Sequence, residues 1–379
     1  MSDGYLGNKN LKKSDVKIDF TPEQVREYIK CAKDPIHFIK SYVKIINVDQ
    51  GLIPFTMWEF QEEMVLTAVQ ERFVVAKMPR QVGKTTTVAS MILWQILFNE
   101  NYNVAILANK ERQAREILSR IQLAYEHLPR WMQQGIVEWN KGNLELENGS
   151  KVLASSTTSS AIRGGSFNLV YLDEFAFVPT NIQEEFFASV YPTISSGKTT
   201  KVLITSTPNG LNMFYKLWVD SEENRNSYKR VDVHWSQIPG RDEEWKAETI
   251  KNTSEEQFRQ EFECEFLGSS NTLISPNVLR RMVFRTPIDS SEEGLKIYSA
   301  PIQDRLYTLV ADTSRAKGLD YSAFAVIDVS EVPYKTVATF RNNTVSSLIY
   351  PTVIEQTAKH YNSCLLYTSD AADERSSVD

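Results

Sequence analysis

"MPRQVGKTT", residues 78–86, is the stretch on which the reading of the whole chain turns. Its end matches the phosphate-loop pattern G-x-x-x-x-G-K-[ST], but the first glycine position holds Met78. The tripeptide alone is common and serves equally well as a capped helix start, so context must decide. The apolar run "RFVVAK" (72–77) reads as a buried strand before it, and "KTTTVASMILWQILFN" (84–99) as a helix after it. In that order, the backbone of Arg80, Gln81, Val82, Gly83, Lys84, Thr85 and Thr86 can cradle an anion at a helix N-terminus. Lys84 would reach the β- and γ-phosphates and Thr85 would hold Mg²⁺, while Gly83 lets the backbone approach closely. Loss of the first glycine restricts the start of the loop but removes no phosphate ligand.

Further along, "LVYLDE" (169–174) sets two carboxylates at the end of an apolar strand. Asp173 is placed to bind Mg²⁺ and Glu174 to orient the water that attacks a γ-phosphate. The alternative is a solvated strand end. Adjacent acids after an apolar run need partners, because unpaired buried charge is costly. "TSTPNG" (205–210) ends another apolar strand. Its hydroxyls, Thr205, Ser206 and Thr207, can sense a γ-phosphate or simply cap a turn. Arg80 in the loop and Arg163 in "SSAIRGGSF" could neutralise transition-state charge, or be surface charges. Gln61 in "WEFQEEM" is a candidate to read an adenine edge, or an exposed helix residue.

The rest of the chain fits an α/β protein. Of 379 residues, 42% are hydrophobic and 24% charged, with net charge −6, enough for two domains but offering nucleic acid only local basic patches. There is no apolar run of membrane-spanning length and no secretory leader at the N-terminus. Cys31, Cys264 and Cys364 show neither metal-ligand nor redox spacing, which fits a reducing cytoplasm. Residues 1–20 read as a loose arm, and "TPEQVREYIKCAKDPIHFIKSYVKI" as helical, with Thr21 as N-cap and Pro22 in the first turn. "NVAILA" is a strand, 110–128 an amphipathic helix, and Asn148-Gly149 a hairpin turn. Strands alternating with helices predict a parallel sheet flanked by helices. Residues 266–296, rich in Ser, Pro and charge, read as a hinge before a second, mixed sheet.

Four stretches together, "RQVGKTT", "GIVEWNKGNLELENGS", "AIRGGSFNLVYLDEFAF" and "TSTPNGLNMFY", resemble the large terminase subunit of tailed bacteriophages, nearest the T-even type. "QFRQEFECEFLGSSNTLIS" extends the resemblance toward the hinge, and it covers roughly residues 20–363. It implies a P-loop ATPase of RecA-like ASCE type over 21–265, with a helical N-terminal part. A hinge over 266–296 and a partial ribonuclease H-like nuclease over 297–363 would follow. It further implies ATP with Mg²⁺ for the motor, Mg²⁺ or Mn²⁺ for the nuclease, and work in the cytoplasm of an infected bacterium. The implied partners are double-stranded DNA, the portal of the procapsid, a small terminase subunit and a ring of copies of the chain. By resemblance Lys84 and Thr85 belong to the phosphate loop, Arg80 to a cis arginine and Arg163 to a trans finger. Asp173 and Glu174 take the metal-binding and catalytic roles, Thr205–Thr207 couple hydrolysis to movement, and Gln61 contacts adenine.

In "TLVADTSRAKGLDYSAFAVIDV", the resemblance makes Asp312 a nuclease metal ligand, assisted by Asp320. Later acidic motifs are expected beyond residue 363. There "CLLYTSDAADERSSVD" (364–379) resembles one reading frame of a sequencing adapter, so this tail is excluded from the fold. Its Asp370 and Asp373 are expected to lack a supporting strand, and the chain is expected not to cut DNA. The competing readings are a P-loop helicase or translocase outside packaging, which should carry a second RecA-like lobe, and a non-catalytic assembly protein. Intact Lys84, Thr85, Asp173 and Glu174 weigh against the latter.

Overall fold

Short apolar runs alternating with longer helical stretches build the first of two units, Met1–Pro276 and Asn277–Asp379. The computed structural model describes residues 4–158, 162, 165–196, 199–267, 285–291, 293–314 and 321–368. The N-terminal elements are β1 (Gly4–Tyr5), β2 (Asn8–Lys12), α1 (Pro22–Lys33), α2 (Pro35–Tyr42), β3 (Lys44–Asn47), β4 (Gly51–Pro54) and α3 (Glu59–Gln70). Next come β5 (Phe73–Lys77), α4 (Lys84–Phe98), β6 (Asn103–Ala108), α5 (Glu111–Glu126), β7 (Ile136–Trp139), β8 (Asn143–Leu146) and β9 (Lys151–Ser156). The unit continues through β10 (Leu169–Asp173), α6 (Thr180–Ser196), β11 (Lys201–Ser206), α7 (Met213–Glu222), β12 (Lys229–Asp232), α8 (Glu243–Asn252) and α9 (Glu255–Glu261).

These strands form one sheet in the order β12-β5-β11-β10-β6-β9-β8-β7. The first six run parallel; β8 turns antiparallel to β9 through the hairpin at Asn148-Gly149, and β7 is in turn antiparallel to β8. Strand pleating sends alternate residues to opposite faces. Thus Val74 and Ala76 join Tyr171 and Leu203 in one core, while Val75, Val170, Leu172 and Ile204 join Phe175 and Phe214 in the other. Both faces are covered, which is why these strands read as unbroken apolar runs. The expected P-loop α/β sheet is therefore present. Strand β11 lies between β5 and β10, with Asp173 beside Thr205 and Ser206 beside Lys77. That insertion brings the three motif-bearing strand ends together.

Two expectations for the N-terminus need correction. The segment from Thr21 is two helices, because Pro35 forces Asp34 into an extended conformation (φ −128°, ψ 97°). Asp34 closes α1 through its amide and caps α2 by accepting from the His37 N–H at 2.9 Å. Of the arm read as loose at 1–20, residues 4–12 are tied down. Leu11 and Lys12 are buried, and the Lys12 ammonium pairs with Glu147 at 2.9 Å. Gln133 accepts from the Lys12 amide and donates to the Asn10 carbonyl.

In the second unit, β13 (Asp289–Ser290), β14 (Leu295–Ile297), β15 (Tyr307–Asp312), β16 (Ser322–Asp328), β17 (Lys335–Asn342), α10 (Tyr350–His360) and β18 (Leu365–Thr368) follow in order. The sheet order is β13-β14-β17-β16-β15-β18. Strands β15, β16 and β17 are antiparallel neighbours, and β18 returns after α10 to lie parallel to β15. The expected second, mixed sheet is therefore present. Of the expected hinge, 268–284 lies outside the described residues, and part of its C-terminal portion forms β13 and β14 instead. Of the tail set aside from the fold, 364–368 falls within the described residues. Leu365–Thr368 is a strand, since an apolar, β-compatible tetrapeptide after α10 can complete the free edge of β15. Asp370 and Asp373 lie outside the described residues.

Candidate functional site

The loop after β5 is shaped by contacts from several distant segments. Gly83, the residue before α4, has a left-handed backbone (φ 72°), and a Cβ there would lie 2.7 Å from Gln61 Nε2. Gln81 is also left-handed (φ 59°), without glycine's freedom. Gln61 is buried at 2% exposure; its Oε1 accepts from the Trp58 amide and its Nε2 donates to the Val82 carbonyl. It does not line the cavity of about 450 Å³ beside α4, whose walls include Ile45, Thr86, Ser90, Arg120 and Leu123. The Arg80 amide, expected to help cradle an anion, instead donates to the Glu261 carbonyl. The Arg80 guanidinium is half-exposed and pairs with Glu261 at 3.0 Å.

The Lys84 ammonium, nearly buried, sits 2.5 Å from Glu174 Oε1, an ion pair set off the line of a hydrogen bond. Glu174 itself has a left-handed backbone (φ 49°), which turns its side chain out of the β10 pleat. Asp173 is 6% exposed. Tyr171 O–H (2.8 Å) and Thr205 O–H (2.9 Å) both donate to its Oδ1, leaving Oδ2 without a protein donor among the described residues. Burial pushes the Asp173 carboxyl above its ordinary range, opposed by the Lys84 charge and reinforced by Glu174. A buried carboxylate with one unspent oxygen beside an ammonium is a fit for a hard, oxygen-bound cation. Ser206 Oγ accepts from the Ala176 amide and lies 3.4 Å from Glu174 Oε2. Thr207 is fully buried, with its hydroxyl unpartnered among the described residues.

Lys84, Asp173, Glu174, Thr205 and Ser206 are thus gathered in one linked cluster. Arg163 and Asp320 lie outside the described residues. Sequence reasoning missed Tyr171, although its position two residues before Asp173 puts it on the same strand face. It also missed Glu261 and Arg241, whose distance in sequence from the loop gave no signal. Elsewhere, Glu27, Cys31 and His37 converge between α1 and α2. Glu27 already bonds His37 (2.7 Å) and Tyr42 (3.1 Å), and burial pushes the Cys31 thiol up to about 12, so this group is internally satisfied. In the second unit, Asp312 is exposed at the end of β15 on a concave sheet face of about 830 Å³ shared with Tyr321 and Arg341. The Tyr350 hydroxyl is within bonding distance of both the Asp312 and Ala323 carbonyls, at 3.1 and 2.7 Å, and fixes that strand end.

A large terminase from Thermus virus P23-45 is 26% identical over 288 residues, covering 67% of this chain and 57% of the relative. The homologous subunit of Thermus phage G20c matches over the same span at 26%. The chain therefore spans little more than half the length of the curated relatives it matches. The crystal structure of the HK97 bacteriophage large terminase shares the fold at a TM-score of 0.57 and 16% identity, covering 89% of this chain and 74% of that one. The profile of the family described as terminase large subunit, T4likevirus-type, N-terminal, matches residues 76–305, from the phosphate loop to the start of the second sheet. This chain belongs to that terminase large-subunit family.

Proposed function

We propose that this chain hydrolyses ATP and couples hydrolysis to moving double-stranded DNA into a procapsid. The observation that carries the proposal is the convergence of Lys84, Asp173, Glu174 and the Thr205–Thr207 segment at three adjacent strand ends. The Lys84–Glu174 pair is an exchangeable one. An incoming phosphate draws Lys84 onto its oxygens, and Glu174 is released to hold and polarise the attacking water. Thr85 and Asp173 are the residues that would hold Mg²⁺, which when bound neutralises charge on the β- and γ-phosphate oxygens. Thr205 touches Asp173 and Ser206 neighbours Glu174, so loss of the γ-phosphate can be felt along β11. Gln260 of α9 donates to the Pro208 carbonyl just beyond, carrying that change to the α8–α9 segment. An adenine contact by Gln61 would use the amide proton left after its bond to Val82. Arg80, half-exposed, is proposed to act in cis, and Arg163 on a neighbouring copy.

The partners that fit this reading are DNA, the portal, a small terminase subunit and further copies in a ring, within the cytoplasm of an infected host. For the second unit, Asp312 with Asp320 is proposed as the first part of a Mg²⁺ or Mn²⁺ nuclease site. That site needs more converging carboxylates than the described residues supply. The test is ATP turnover by the purified chain. Lys84→Ala should abolish turnover, and Glu174→Gln should abolish it while nucleotide still binds. Unchanged turnover in Lys84→Ala would remove the loop from the mechanism.

A further inference from the structure

The phosphate loop has an unusual support. Met78 stands where the pattern has its first glycine, and it is fully buried, held by its amide to the Ser206 carbonyl. The shape of residues 80–83 is therefore set by contacts from outside the loop. The Arg241 guanidinium donates through Nη2 to the Arg80 carbonyl at 3.0 Å and, at longer range, to the Gln81 carbonyl at 3.4 Å. Gln61 takes the next carbonyl, that of Val82, at 3.0 Å. Three consecutive carbonyls are thereby held by side chains from elements far away in sequence.

A trans peptide is planar, with its C=O and N–H pointing in opposite directions. Fixing the carbonyls of Arg80, Gln81 and Val82 turns the amide that follows each, that of Gln81, Val82 and Gly83, away from the side chain that holds the carbonyl. Those three amides donate to no group among the described residues. Successive unspent N–H groups ahead of a helix N-terminus are an anion-binding nest. The device also explains Gln81, whose left-handed backbone persists only where its surroundings over-determine it.

Arg241 is itself held for this task. Its guanidinium lies 4.7 Å over the Trp245 ring and 5.5 Å from the Phe262 ring centre. Trp245 and Phe262 pack edge to face, so the fork is presented in a fixed plane. The same segment supplies Glu261, which takes the Arg80 amide and pairs with its side chain. The α8–α9 segment thus grips both sides of the peptide groups that begin the nest.

We propose that Arg241 is a positioning residue that presets the phosphate nest, turning the Gln81 and Val82 amides toward the nucleotide in a loop that lacks the first glycine. The inference rests on the proposed nucleotide site. The test uses the full chain, titrating a fluorescent ATP analogue and measuring KM and kcat for ATP in wild type, Arg241→Ala, Arg241→Lys and Lys84→Ala. Loss of a charge-assisted bond to the loop should weaken binding and raise KM about tenfold in Arg241→Ala, with kcat changing less. A lysine offers a point charge without the planar fork, so Arg241→Lys should fall between wild type and Arg241→Ala. Melting curves without nucleotide identify a variant that fails to fold; if Arg241→Ala does, Arg241→Lys decides. Affinity and KM within about twofold of wild type in a folded variant would overturn the inference, as would equal loss of kcat with KM unmoved. If the wild type neither binds nor hydrolyses ATP, the nucleotide site itself is wrong. If only Lys84→Ala loses activity, the site stands and the role of Arg241 falls.

Discussion

Asp173 and Asp312 both end a β-strand and both read from the sequence as metal ligands, yet the two units treat them differently. Asp173 is enclosed, with Tyr171 and Thr205 on one oxygen and Lys84 close by. Asp312 stands exposed on a concave sheet face, its strand end steadied by the Tyr350 hydroxyl donating to its carbonyl. The contrast shows how sheet direction decides what surrounds a strand-end acid. In the first unit, parallel neighbours deliver partners to the same level of the sheet. In the second, the antiparallel strand β16 brings Ala323 beside Asp312, and β18 brings Thr368 beside Ala311, so neither neighbouring strand sets an acid at that level.

The largest effect that could break this comparison is expected in the first unit. Lys84→Ala and Glu174→Gln should each lower ATP turnover by about a hundredfold or more, read in a phosphate-release assay. If turnover survives both, the enclosed cluster is structural only. Asp173→Asn should lose most turnover as well, but it also sharpens the electrostatic claim. The carboxyl of Asp173 is raised above 3.8 on folding, so its ionisation costs stability as pH rises through its folded value. Asn can keep hydrogen bonds with Tyr171 and Thr205 without that cost. Without nucleotide at neutral pH, Asp173→Asn should melt about 2 °C or more above wild type, and the gap should close toward pH 4. A variant that melts lower at neutral pH would show that Lys84 more than offsets the burial.

A smaller change is expected at the N-terminal arm. Lys12→Ala removes a nearly buried ammonium from Glu147 and should cost about 1–3 kcal/mol in denaturant unfolding of the first unit. No change there would return residues 1–20 to the status of a loose arm. The smallest effect is expected in the second unit. The purified 379-residue chain should leave plasmid DNA intact with Mg²⁺ or Mn²⁺, and Asp312→Ala should make no difference. Cleavage abolished by Asp312→Ala would mean that this chain completes the site after all.

Much of the first unit was legible in the sequence because its signals are local. "RFVVAK", "LVYLDE" and "KVLITS" announce buried strands by their apolar runs, and loop, acids and hydroxyls follow them directly in the chain. Asn148-Gly149 set a hairpin, and Thr21 set a helix start, for equally local reasons. The break at Asp34-Pro35 was local too, but helical spacing on both sides concealed it. The sequence by itself thus determined the strand–loop–helix order and the chemical identity of the residues gathered at the strand ends. Only the tertiary structure decided which strand lies between β5 and β10, that residues 4–12 pair and pack onto the Gln133–Glu147 region, and that Arg241 and Gln61 hold the carbonyls of the phosphate loop. Those decisions depend on contacts between segments tens to hundreds of residues apart, where no local propensity or spacing carries the information.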